Sequence, residues 1–117
     1  MKTVLILDDS PEHLEIFTMM LSSNGYNTIA VNNKKNLFET LKTTVPDLIL
    51  MDVYLGGADG RELCKEIKNT PAIKNIPVIL MSASESLLKD YEDCFADAIL
   101  AKPFDLEDLI SKVQGLI

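Results

Sequence analysis

Five side chains with chemically useful groups stand at the ends of short apolar runs. Asp8 and Asp9 follow the first run, Asp52 the third, Ser82 the fourth and Lys102 the fifth. Three carboxylates in one crevice repel each other, and this is tolerable at neutral pH only if protons or a cation offset their charge. If the fold brings these run ends together, the sequence implies a bound cation.

The available donors favour magnesium. Carboxylate oxygens, completed by water and phosphate oxygens, suit an octahedral Mg²⁺ site better than a zinc or calcium site, and Mn²⁺ can substitute. Beside such a cation, a carboxylate can act as a nucleophile towards phosphorus. The cation, a lysine ammonium and a hydroxyl can then share the charge on the transferred phosphoryl oxygens. The residues above supply each of these roles.

The apolar runs alternate with segments of helical period, which is typical of an α/β fold with a parallel sheet covered by helices on both faces. In such a sheet, ligands bind beyond the carboxyl ends of the strands, near the point where the strand order reverses. The polar run ends are therefore expected to share one crevice. The predicted strands are Thr3–Leu7, Asn27–Val31, Leu48–Met51, Val78–Met81 and Ala98–Ala101.

Each strand is followed by a segment that places apolar residues on one helical face, which makes five βα units. Ser10 can cap the first helix with Pro11 in its first turn, and Gly25 can end it. Asp59 and Glu62 have capping-box spacing at the third helix. The predicted faces are Leu14, Phe17 and Leu21; Leu37, Phe38, Leu41 and Val45; Leu63, Cys64 and Ile67; Leu87, Leu88, Tyr91 and Phe95; and Leu106, Leu109, Ile110, Val113 and Ile117.

The composition is typical of a globular domain. With 117 residues, of which 47% are hydrophobic and 25% charged, the chain can bury a single core, and we expect one domain over residues 1–117. No apolar run is long enough for a membrane helix, no signal peptide is evident, and a cytoplasmic location is expected. The net charge of −7 argues against direct nucleic-acid binding. Cys64 and Cys94 lack partners at metal-binding spacing and are predicted to fill the core.

Four motifs, LILDDS, LILMDVYLGGADG, VILMSAS and AILAKPF, together resemble the receiver domain of two-component response regulators. The resemblance spans essentially the whole chain and implies a doubly wound, five-stranded parallel sheet of flavodoxin-like order 2-1-3-4-5. It also implies that Asp52 accepts the phosphoryl group. Asp9 would ligate the metal directly and Asp8 through water, with Asp52 and the main-chain carbonyl of Tyr54 as further ligands.

The same resemblance assigns Ser82 and Lys102 to the phosphoryl group. Ser82 would hydrogen-bond it, and Lys102 would pair with it beside a cis peptide bond to Pro103. Two positions depart from the pattern: Ile99 stands where such domains usually have an aromatic residue, and Gly56 stands where many have proline. The first departure puts the usual readout of phosphorylation in doubt, and the second gives the loop more conformational freedom.

The leading hypothesis is a regulatory phosphoacceptor domain, which is not an enzyme with a separate substrate and catalyses only its own phosphorylation and dephosphorylation. Its expected partners are a sensor histidine kinase or histidine phosphotransfer protein and a downstream protein effector. One alternative is a small magnesium-dependent phosphohydrolase with an aspartate nucleophile. Against it, Tyr54 stands where such hydrolases have a second acid, and the chain is too short for a cap domain. Another alternative is a degenerate receiver that only binds a partner. His13 is interpreted as a helix-surface residue rather than a ligand.

Overall fold

A five-stranded parallel sheet forms the centre of the protein. The computed structural model describes residues 1–84, 86, 89 and 91–117. Its strands run in the order β2-β1-β3-β4-β5, with every neighbouring pair parallel, so the predicted order is confirmed. The strand order reverses between β1 and β3, where a ligand crevice is expected. The strands are β1 (Thr3–Leu7), β2 (Asn27–Val31), β3 (Leu48–Asp52), β4 (Val78–Ser82) and β5 (Ala98–Ala101).

Four α-helices lie within the described residues: α1 (Pro11–Ser22), α2 (Lys34–Leu41), α3 (Gly60–Lys68) and α4 (Leu106–Leu116). A 3₁₀ helix, Tyr91–Cys94, precedes β5. Five helices were expected, and two residues of the predicted helix between β4 and β5, Leu87 and Leu88, lie outside the described residues. Phe95 was placed on its apolar face, but this residue is 60% exposed and has a φ of 66°. No helix of the described part of the chain is long and apolar enough to cross a membrane.

Local capping chemistry positions α1 directly after the first strand. The side chain of Ser10 accepts a hydrogen bond from the backbone N–H of His13, and Pro11 occupies the first turn. Beyond the end of α1, Gly25 has a φ of 88°, in the left-handed region that glycine adopts at no steric cost. These predicted helix signals are confirmed, and they place the first turn of α1 next to the end of β1.

The starts of α3 and α4 are capped by aspartates. Asp59 caps α3 as predicted, but its carboxylate pairs with Arg61, from which it accepts both a backbone and a side-chain hydrogen bond. Asp105 caps α4 in a reciprocal capping box with Asp108, which the sequence analysis did not identify. The acidic side chains suit these positions because the first turn of a helix carries partial positive charge.

Two apolar clusters cover the faces of the sheet. Helices α2 and α3 pack on one face, and α1 and α4 pack on the other. Cys64 and Cys94 lie in the first cluster, as predicted, and burial raises the pKa of the Cys64 thiol to about 12. Two residues that were expected on buried helix faces are exposed. Val45 is exposed because α2 has already ended at Leu41, and Leu106 is exposed because it is the first residue of α4.

Gly60 joins α3 tightly to the segment that follows β3. Its N–H donates to the carbonyl oxygen of Val53 at 2.7 Å, and a Cβ atom at this position would overlap the carbonyl oxygen of Asp52. Gly60→Ala is therefore expected to lower the free energy of unfolding by about 1–3 kcal/mol, as measured by urea denaturation. The control is Gly115→Ala in α4, where a Cβ would meet nothing within 4 Å and stability should be retained or increased. Equal stabilities of the two variants would contradict this interpretation.

Candidate functional site

Three of the predicted polar residues are buried at the carboxyl edge of the sheet. Asp8 follows β1 and is fully buried, Asp52 ends β3 with 7% exposure, and Ser82 ends β4 with 4% exposure. Lys102 follows β5 directly. Because neighbouring parallel strands end at the same edge, the fold brings these side chains into one crevice, next to the reversal of strand order.

The ammonium of Lys102 lies between two buried carboxylates. Its Nζ donates to Asp52 Oδ2 at 2.7 Å and lies 3.6 Å from Asp8 Oδ2. The side chain is only 16% exposed, and the ammonium also lies 5.7 Å from the centre of the Phe17 ring. Lys102 therefore supplies positive charge to a crowded acidic site that is poorly screened by water.

The carboxylate of Asp52 is fixed through both of its oxygens. Oδ2 accepts from Lys102, and Oδ1 accepts from the backbone N–H of Tyr54 at 3.1 Å. An antiparallel bridge between Tyr54 and Asp59 closes the following loop. The Tyr54 side chain is 68% exposed, so this residue contributes to the buried part of the site through its backbone.

The buried carboxylate of Asp8 has four polar or charged neighbours. Oδ1 accepts from the backbone N–H of Ser10 at 2.9 Å, and Oδ2 lies 3.2 Å from Nδ1 of His13. Burial raises the pKa of Asp8, the charge of Asp52 raises it further, and the Ser10 hydrogen bond and Lys102 partly offset this. The protonated form of Asp8 is therefore favoured more than in an exposed aspartate.

Asp9 has a different environment. Its side chain is exposed. Its carboxylate does not belong to the cluster of potential metal-ligand atoms that Asp8, His13 and Asp52 form. Its Oδ2 lies over Gly56, where an added Cβ would approach to 3.2 Å. Gly56 also has a φ of 68°, a backbone conformation that glycine adopts at no steric cost. Glycine therefore suits this position both because of the positive φ and because a side chain would crowd the Asp9 carboxylate.

Ser82 and the Lys102–Pro103 bond complete the edge of the crevice. The hydroxyl of Ser82 accepts from the backbone N–H of Ser84 at 3.0 Å, which leaves its own proton available for donation. The peptide bond between Lys102 and Pro103 is cis, as the resemblance implied. Ile99 is half-buried and packs against the cluster on the α2 and α3 face.

His13, which was interpreted as a helix-surface residue rather than a ligand, also lies against the site. Its side chain is 46% exposed, as expected of a helix surface, yet its Nδ1 contacts Asp8 and lies 3.5 Å from Lys102 Nζ. The available signal was its position in the first turn of a helix whose cap follows the acidic pair directly. A side chain there can reach back to the end of the strand.

Comparison with known families gives the identity. A family model described as the response regulator receiver domain matches residues 4–114. The chain belongs to this family. The family is regulatory, which agrees with the leading hypothesis. The heme response regulator HssR of Staphylococcus saprophyticus is 31% identical to this receiver over 120 residues, a match that covers 100% of the chain and 52% of HssR. The chain thus spans about half the length of this curated relative.

Solved receiver structures have the same fold and include magnesium complexes. TrrA of Thermotoga maritima, solved with Mg²⁺ and BeF, is 27% identical to this receiver, with a TM-score of 0.90 and coverage of 100% of both chains. The receiver domain of a Pseudomonas aeruginosa sensor histidine kinase, with a magnesium ion in its active site cleft, is 25% identical. Its TM-score is 0.88, and the match covers 98% of this chain and 96% of that one.

Proposed function

We propose that residues 1–117 form one receiver domain that acts as a phosphorylation-dependent switch, with Asp52 as the phosphoacceptor. The main support is the environment of Asp52 at the carboxyl edge of the sheet. One carboxylate oxygen accepts from the Lys102 ammonium at 2.7 Å and the other from a backbone N–H. These contacts orient the carboxylate, and the ammonium is close enough to stabilise negative charge that arrives on it.

In this proposal, the domain catalyses only its own phosphorylation and dephosphorylation. A carboxylate oxygen of Asp52 forms a bond to phosphorus while the bond from phosphorus to the donor nitrogen breaks, and the donor imidazole keeps the electron pair. The ammonium of Lys102 then pairs with a phosphoryl oxygen, and the hydroxyl proton of Ser82 is donated to another. Hydrolysis returns the carboxylate and releases inorganic phosphate.

The donor set fits Mg²⁺, which prefers hard oxygen ligands. Asp9 and Asp52 would bind the ion directly, Asp8 would bind through water, and the main-chain carbonyl of Tyr54 would complete the protein ligands. Bound Mg²⁺ supplies positive charge that stabilises the transferred phosphoryl oxygens. Mn²⁺ prefers the same oxygen ligands and geometry and is proposed as a substitute. The missing side chain of Gly56 leaves room for the Asp9 carboxylate.

The proposed phosphodonor is a sensor histidine kinase or histidine phosphotransfer protein, and the proposed output is a downstream protein effector. The regulatory family supports this assignment. The net charge of −7 disfavours contact with nucleic acid or an anionic membrane. We place the domain in the cytoplasm, where the thiols of Cys64 and Cys94 would remain reduced.

The proposal is tested by phosphorylation with acetyl phosphate and Mg²⁺, followed by intact mass spectrometry. The wild type is expected to gain one phosphoryl group, and Asp52→Asn is expected to gain none because it lacks the nucleophile. Asp93→Asn, a change at an exposed aspartate, is the control and should be labelled like the wild type. Undiminished labelling of Asp52→Asn would exclude Asp52 as the acceptor. Catalytic turnover of small phosphoesters would instead support a phosphohydrolase.

A further inference from the structure

The two cysteines of the chain are neighbours in the core. Cys64 lies on α3, and Cys94 is the last residue of the 3₁₀ helix before β5. Both are buried in the apolar cluster on the α2 and α3 face, and their thiols are hydrogen-bonded to each other although they are far apart in the sequence. No disulfide joins them. Thiols in contact need only a small movement to reach the Cβ–Cβ separation of about 3.5–4.5 Å that a disulfide requires.

Polar contacts already join the elements that carry these thiols. The Lys68 ammonium, one turn after Cys64 on α3, donates to the Asp97 carboxylate at 2.8 Å. Asp97 lies directly before β5, and its carboxylate also accepts from the backbone N–H of Val78 at 2.8 Å. Helix α3 is thus held against the starts of β4 and β5, next to Cys94. A bond between the two thiols would preserve this packing.

Cys94 lies in an element that can open without the sheet. The 3₁₀ helix has only four residues, and Asp93 and Phe95 on either side of Cys94 are exposed. Phe95 has a φ of 66°, a strained conformation for a residue other than glycine. The pKa of Arg61 is raised mainly by its hydrogen bond with Asp59 and also by the charge of a Cys94 thiolate. The nearby guanidinium therefore favours the thiolate, which is the reactive form of Cys94.

Cys64 has the opposite character. Burial, the charge of Cys94 and the hydrogen bond between the thiols raise the pKa of Cys64 to about 12. A thiol with so high a pKa is a poor first nucleophile towards an oxidant. Its contact with Cys94 instead places Cys64 to attack the Cys94 sulfur once that sulfur has been oxidised.

We propose that Cys64 and Cys94 form a reversible disulfide when the domain meets a peroxide, and that this bond fixes α3 against the segment that leads into β5. The Cys94 thiolate attacks one peroxide oxygen, the O–O bond breaks, and the leaving hydroxide takes up a proton, which gives a sulfenic acid and water. The Cys64 sulfur then displaces the hydroxyl group, which leaves with the Cys64 proton as water. The two thiols lose two electrons in total, and the peroxide gains them.

The disulfide is a modification separate from phosphorylation and does not depend on Asp52. In a reducing cytoplasm the resting state is the dithiol, and the disulfide persists only while peroxide is present. Cellular thiols such as glutathione reverse it by thiol–disulfide exchange.

The test is treatment of the native full chain with hydrogen peroxide, followed by denaturation, alkylation with N-ethylmaleimide and intact mass spectrometry. The wild type is expected to lose two hydrogen atoms and to take up no maleimide, and dithiothreitol should reverse both changes. Cys64→Ala should stop at a sulfenic acid that dimedone traps. Arg61→Gln should slow disulfide formation at least about 3-fold, because the charge beside Cys94 is lost. Glu62→Gln, an exposed change next to Arg61, is the control and should not slow it.

Urea denaturation gives a second readout that needs no substitution in the core. The oxidised wild type should unfold at a urea concentration at least about 1 M higher than the reduced form, because the bond constrains the unfolded chain and leaves the native contacts in place. An equal or lower midpoint would overturn the proposal. A disulfide between two chains, or one that forms only in urea, would also overturn it. A failure of acetyl phosphate to label Asp52 would contradict the proposed function and leave these results unaffected.

Discussion

Replacement of Lys102 by methionine is expected to lower the free energy of unfolding of the metal-free domain by about 3–5 kcal/mol. Methionine preserves most of the side-chain length and removes the charge. The lost ammonium is the cation 2.7 Å from Asp52 Oδ2 and 3.6 Å from Asp8 Oδ2, and both carboxylates are buried. Removal of one partner of a buried ion pair is costly because the other charge remains without compensation.

A double-mutant cycle separates this effect from simple loss of packing. Asp52→Asn in the Lys102→Met background should recover part of the lost stability, since one of the uncompensated charges is removed. The two changes are therefore expected to be non-additive by at least about 1 kcal/mol in urea denaturation with a chelator present. Lys34→Met is the control, because Lys34 pairs with Glu66 at a half-exposed position where such pairs contribute less than about 1 kcal/mol. Equal losses for Lys102→Met and Lys34→Met would show that Lys102 does not compensate the crevice.

The sheet was predictable because parallel strands buried on both faces appear in sequence as continuous apolar runs. The predicted bounds of β1, β2 and β5 agree with the structure, and β3 and β4 are each one residue longer. The added residues are Asp52 and Ser82, which still pair within the sheet although they are polar. A strand prediction made from hydropathy alone stops at the first polar residue, even where that residue is buried and still belongs to the strand.

The helix faces were less predictable because helical periodicity does not record where a helix ends. Val45 continues the apolar period of α2 but lies beyond its last residue, next to Pro46, and is exposed. Phe95 continues the period of the segment before β5 but has a positive φ and is also exposed. In both cases the apolar period continues past the point where the backbone leaves the helical conformation.

The convergence of Asp8, Asp52 and Lys102 was predictable from their positions after three strands, since the fold class places all three at one edge. The way in which their charges offset one another was not predictable from the sequence. The sequence implied that crowded carboxylates require a bound cation, and the structure shows that Lys102 already supplies a positive charge there. The contact between His13 and Asp8 was also missed, because it depends on how the first turn of α1 packs over the end of β1.

Asp8→Asn is expected to raise the free energy of unfolding of the metal-free domain at pH 7. Asparagine is nearly isosteric with aspartate, and its carbonyl oxygen can accept the hydrogen bond from the backbone N–H of Ser10. The substitution removes a charge whose carboxyl is fully buried. Stabilisation follows if the cost of burying that charge exceeds the attraction that it gains from Lys102 and His13.

The stabilisation by Asp8→Asn is expected to depend on pH, and the direction follows from the pKa of Asp8. Burial raises the folded-state pKa of Asp8 above its ordinary value of 3.8, so the native state binds this proton more tightly than the unfolded chain. The contribution of Asp8 to stability is therefore fully present below the unfolded pKa and is lost as pH rises through the folded pKa. The Asp8→Asn variant has no carboxyl group at this position and does not lose stability in this way as the pH rises. The stability difference between variant and wild type should grow from pH 4 to pH 7.

Asp59→Asn is the control of opposite sign. The hydrogen-bonded Arg61 lowers the pKa of Asp59, so the contribution of Asp59 is present above its unfolded pKa and is lost as pH falls through the lower folded pKa. This variant should be less stable than the wild type at neutral pH, with a difference that narrows in acid. The measurement is a series of urea unfolding curves between pH 4 and pH 8 in the presence of a chelator. If Asp8→Asn is less stable than the wild type across that range, then Lys102 and His13 stabilise the buried charge of Asp8 by more than its burial costs.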